Sequence, residues 1–122
     1  MEIVSFDLAK KLKEKGFPQH ITDDAYIVDN YGEDEYDIGE RLPIPLIPDY
    51  MDYVAAPTIS QVFKWLREKN IHLYIDIDNE GWFFEIKCLK TRFMVNTDFL
   101  KRHSTYEQAT LAGIEYVLDK LI

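Results

Sequence analysis

The carboxylates are the first residues to weigh for chemistry. Asp29 to Glu40 has the length of a calcium-binding loop, with an acid at its first and last positions. It fails that pattern twice: Tyr31 stands third, where an oxygen ligand is needed, and Asp34 stands sixth, where the sharp turn requires glycine. Glu33, Asp34, Glu35 and Asp37 could still hold a divalent ion weakly, but a solvated acidic loop has the same composition. Asp76 and Asp78 are two apart on a predicted strand, so they share a face. That spacing suits a cation or a general base, and it is also what the wet face of any half-buried strand carries.

Other chemistries find less support. His20, His72 and His103 are scattered, and none belongs to an H-x-x-x-H pair. Cys88, the single cysteine, excludes an internal disulfide and reads as a buried, inert thiol in a strand. No serine occupies a G-x-S-x-G elbow, and no glycine-rich loop follows a strand. Trp82, Phe83 and Phe84 beside Lys87, Lys90 and Arg92 could form a base-stacking platform, but alternation turns Phe83 away from the other two. No catalytic residue, metal or cofactor is expected.

The elements that would carry these residues are legible from caps and periodicity. Ser5 caps a first helix with apolar Phe6, Leu8, Ala9 and Leu12, and Gly16 stops it, with Phe17 placed to pack on Leu12. Ala25–Val28 reads as a short strand, Asn30–Gly39 as a polar turn, and Tyr36–Leu42 as a weak return strand. Leu42 to Pro48 holds three prolines and reads as an extended arm, excluded from a central strand. Thr58 and Gln61 form a capping box ahead of Ile59, Val62, Phe63 and Leu66, with Trp65 widening the apolar stripe. Ile71 to Asp78 alternates without a break, Asn79-Glu80-Gly81 turns, and Trp82 to Leu89 returns, burying Phe84, Ile86 and Cys88. A short strand over Arg92–Asn96 and a last helix opened by Ser104-Thr105-Tyr106-Glu107 complete the chain. The expected fold is α+β in a single domain, 1–122, with an antiparallel sheet of about three to five strands against three helices.

Charge is the most uneven property. Between Thr22 and Tyr53 ten acids face one base, a local −9, while the remainder carries thirteen bases and twelve acids. Five of the eight tyrosines fall in the same stretch. Such a field repels nucleic acid and attracts basic partners. No apolar window reaches the length of a membrane span, and the basic start of a signal peptide is absent, so a cytoplasmic location is expected.

Ala9-Lys10-Lys11-Leu12-Lys13-Glu14-Lys15-Gly16-Phe17, Ala56-Pro57-Thr58 on to Trp65-Leu66-Arg67-Glu68, Ile71-His72, Thr105-Tyr106-Glu107-Gln108-Ala109 and Gly113-Ile114-Glu115 resemble a group of uncharacterised small proteins. That group occurs in gut anaerobic bacteria and on their phages and integrated elements. It brings no activity or cofactor, and implies a small intracellular accessory protein. The order α-β-β-β-α from Thr58 also resembles double-stranded-RNA-binding domains, with Tyr106-Glu107-Gln108 where that family is basic. The hairpin followed by Ser104–Ala109 is similar to the core of HicB-type antitoxins, without their Pro-Gly-Cys loop. The reading that follows is a non-enzymatic interaction protein. Tyr31, Glu33, Asp34, Glu35, Tyr36 and Asp37 would contact a basic protein partner, with neither nucleic acid nor membrane engaged. The alternatives are an antitoxin-like or nucleic-acid-binding module and a small hydrolase built on carboxylates.

Overall fold

Ser5 begins the first helix as its side chain requires: extended itself, it accepts the Leu8 amide at 3.2 Å, and α1 runs Phe6–Glu14. Gly16, at φ +94°, closes it. The Phe17 amide reaches the Leu12 carbonyl at 3.0 Å and the Gly16 amide that of Lys13 at 3.1 Å, the paired bonds of a Schellman ending. Leu12 and Phe17 are both buried. In this computed structural model residues 2–28, 39–88, 93–95 and 101–122 are described. They form two compact units, Met1–Val62 and Phe63–Ile122, and the boundary falls inside the second helix.

The first unit holds α1 and a three-stranded antiparallel sheet made of β1 (Asp24–Ile27), β2 (Arg41–Pro43) and β3 (Tyr53–Ala55), in the order β2-β1-β3. Its core groups Ala25, Ile27, Ile47 and Met51, with Leu42, Ile44 and Tyr53 packed against them. The expected surface arm over 42–48 is corrected here. Its start is the edge strand β2, followed by a 3₁₀ turn over Ile44–Leu46, and Ile47 enters the core. Proline is tolerated because β2 lies at the sheet's edge, where Pro43 has no outward ladder bond to give.

The second helix, α2, spans Ile59–Glu68 behind a reciprocal box: the Gln61 amide donates to Thr58 Oγ1 at 3.2 Å, and the Thr58 amide to Gln61 Oε1 at 2.8 Å. Val62, Trp65 and Leu66 are buried. Asn70, at φ +63°, takes the left-handed turn that redirects the chain into β4.

In the second unit β4 (Ile71–Asp78) and β5 (Gly81–Cys88) form a hairpin with Asp78 opposite Gly81, and β6 (Phe93–Val95) pairs on the far side of β5. The last helix, α3 (Tyr106–Lys120), packs on β4 and β5. A Cβ on Gly113 would stand 2.8 Å from Leu73 and 3.1 Å from Phe84, so the bare backbone sets that close approach. The fold is therefore α+β, and among the described residues it has three α-helices and strands divided between two three-stranded antiparallel sheets. Phe84 and Ile86 are buried as expected, whereas Cys88 is only half-buried. The cap of α3 is displaced by one residue from the expected box. Thr105 accepts the Gln108 amide at 3.1 Å, and Gln108 Oε1 accepts the Ser104 amide at 3.1 Å. The preceding His103 is committed to an antiparallel bridge with Trp82, which fixes where the helix can start.

Candidate functional site

Tyr31, Glu33, Asp34, Glu35, Tyr36 and Asp37 lie outside the described residues, as does the rest of the 29–38 segment. The acidic sheet that flanks them is described. The segment between α1 and β1 is pinned by side chains at several points. Gln19 accepts the Ala55 amide at 2.8 Å and donates to the Phe17 carbonyl at 2.9 Å. Thr22 donates to the Asp24 carbonyl at 2.8 Å, and Gln61 reaches the Ile21 carbonyl at 3.2 Å. The Tyr26 hydroxyl donates to the buried Val4 carbonyl.

These ties hold open a shallow depression of about 320 Å³ lined by His20, Thr22, Asp23, Ile44, Pro45 and Tyr53. Next in the chain to lining residues His20 and Pro45 stand Ile21 and Leu46, exposed at 54% and 63%, and Tyr50 is exposed at 58%. Asp23, Glu40, Asp49 and Asp52 are exposed in the same unit. Nine bases balance nine acids in the second unit, so the first carries the whole net charge of −8. An anionic surface with exposed aliphatic and aromatic side chains suits contact with a partner better than bond-making chemistry. Ile21 and Leu46 escaped the sequence reading; the one signal was Leu46 held between Pro45 and Pro48, where the backbone is stiff and lacks donors.

The paired acids of β4 turn out to have separate tasks. Asp76 accepts the amide of its own neighbour Ile77 at 2.8 Å. Asp78 Oδ2 accepts both Nε and Nη2 of Arg102, at 3.0 and 2.9 Å, while Oδ1 accepts the Glu80 and Gly81 amides at 2.9 and 3.2 Å. The Arg102 hydrogen bond, then the turn amide of Glu80, hold the Asp78 carboxyl below the usual carboxylate range. A general base for neutral pH needs the opposite shift. Arg102 also lies over the Phe83 ring, 4.3 Å from its centroid, and so joins the 101–103 segment to the hairpin. Its distance in sequence from Asp78 left no local signal. Among the described residues no three of His, Cys, Asp and Glu come together as a metal site.

The sign of the Asp78 effect makes a test. Its folded-state pKa is lowered, so the pairing stabilises the fold above the ordinary unfolded value of about 4 and is lost as pH falls through the lowered value. In Arg102→Gln the carboxyl should titrate at a higher pH, followed by NMR at Asp78 Cγ. An unchanged midpoint would show that the ion pair does not set it.

None of the described helices is long and apolar enough to cross a membrane. Comparison with protein-family models, with curated proteins and with solved structures returned no match to this chain.

Proposed function

We propose that this chain is a small, non-enzymatic, cytoplasmic accessory protein that binds a basic protein partner through the acidic surface of its first unit. The observation that carries this reading is the coincidence, in one unit, of the entire net charge with exposed Ile21, Leu46 and Tyr50 and a shallow depression. The carboxylates steer and select, and the apolar side chains supply area from which water is expelled on binding. Tyr31, Glu33, Asp34, Glu35, Tyr36 and Asp37, in the same acidic stretch of the sequence, are proposed to contribute to this contact. The accessory role within a phage or mobile element rests on the resemblance alone.

Peptide display against the intact protein tests this. Selected binders should be rich in lysine and arginine, and their affinity should fall as added salt shortens the screening length below roughly 10 Å. The variant Asp23→Lys/Asp49→Lys/Asp52→Lys changes only exposed side chains, so it should fold normally and bind these peptides at least about tenfold more weakly. Glu33→Lys/Asp34→Lys/Glu35→Lys/Asp37→Lys reports in the same way on the 29–38 segment. Binders without basic excess, or affinity unchanged in both variants, would sink the proposal.

A further inference from the structure

The second unit holds a cavity of different character, and we infer that it binds a phosphate group. It measures about 90 Å³ and is lined by Phe63 and Arg67 of α2 and by His72, Leu73 and Tyr74 of β4. Phe63 and Arg67 are one helical turn apart, and His72 and Tyr74 share a strand face, so each element presents an aromatic ring beside a nitrogen donor. The His72 and Tyr74 rings stack, 6.4 Å apart and 17° from parallel.

The lining is rich in donors and contains no carboxylate. Arg67 offers a planar fork of N–H groups, His72 a ring N–H and Tyr74 a hydroxyl. Arg67 has neither ion pair nor hydrogen bond from its side chain among the described residues, unlike Arg102, which is held by Asp78. Lys87, opposite His72 in the hairpin and 5.6 Å from the Tyr74 ring centroid, adds positive charge on this face. The acids on the same face are engaged elsewhere: Asp76 with the Ile77 amide, Asp78 with Arg102, and Glu85, opposite Tyr74, in an interaction of its own. Arg67 and Lys87 give this wall a positive bias that favours an anion.

The donor geometry narrows the anion. Donors from three side chains match the terminal oxygens of a phosphate better than the two coplanar oxygens of a carboxylate, and the arginine fork favours bidentate phosphate contact. The phosphate is either the free anion or the head of a phosphate monoester whose remainder lies on Phe63 and Tyr74 at the cavity wall.

Two-dimensional NMR of the full chain, at constant ionic strength, with inorganic phosphate and with phenyl phosphate as probes, decides the matter. Saturable shifts at the Arg67 and His72 side chains are expected, with a Kd of about 1 mM or tighter for at least one probe. Equal affinities identify the free anion, and tighter phenyl phosphate identifies the monoester. Arg67→Gln should weaken binding at least about tenfold, and His72→Gln by a smaller factor. Arg67 is exposed, so its variant should keep the wild-type spectrum elsewhere. Lys64→Gln, exposed on the same helix and outside the cavity, removes the same charge and should change nothing. No saturable shift with either probe, or equal losses in Arg67→Gln and Lys64→Gln, would overturn the assignment.

Discussion

Leu66→Ala is expected to remove a large part of the stability of this protein. Leu66 is fully buried on α2, and truncating such a leucine costs about 2–5 kcal/mol, through lost transfer energy and the cavity left behind. Domains of this size are stable by about 5–15 kcal/mol, so the loss is a substantial fraction. With a urea m-value of about 1–2 kcal/mol/M, the unfolding midpoint should drop by roughly 1 M or more. The matched control is Leu46→Ala, whose side chain is 63% exposed and whose loss should stay within about 0.5 kcal/mol. If both midpoints move alike, the buried face of α2 has been misassigned.

Gly81→Ala should be comparably severe for a different reason. Gly81 closes the β4–β5 hairpin at φ +136°, a conformation side chains resist at a cost of about 1–3 kcal/mol. A Cβ there would also lie 2.8 Å from the His103 carbonyl oxygen. That oxygen accepts the Trp82 amide at 2.9 Å, while the His103 amide donates back at 2.7 Å, so it cannot retreat without opening the bridge. The variant should lose hydrogen-exchange protection at Trp82 and His103 along with thermal stability. Gly16→Ala separates the two contributions, because Gly16 has φ +94° but nothing within 4 Å of the added carbon. Were the two variants equally stable, the contact with His103 would carry no energy.

What the sequence disclosed follows the range of the forces involved. Helix starts at Ser5 and Thr58 were legible because a cap joins residues only three apart. The start of α3 was misread by one residue because Ser104 and Thr105 each begin an acceptable box, and the choice falls to a bridge between Trp82 and His103. Tyr53–Ala55 is too short to show a period, and it is a strand because β1 has an edge to offer it. The prolines of 42–48 declared a stiff backbone correctly but could not tell that Ile47 would be drawn into a core. The charge asymmetry was visible by inspection. Arg67 and His72 match no motif, and they line one cavity only because the chain turns at Asn70, left-handed, between helix and strand.

The short bond from the Ile77 amide to Asp76 has a consequence for the life of the protein in a crowded solution. β4 terminates its sheet, and its Ile-His-Leu-Tyr-Ile-Asp-Ile run has the β-forming composition from which cross-β fibrils nucleate. A foreign strand adding to that border would need the Ile77 amide as a donor. Asp76 already occupies it from within the strand and sets a negative charge in the path of the newcomer. The carboxylate that first looked like a catalyst thus stands as a gatekeeper on this border, set against the recruitment of further copies of the chain.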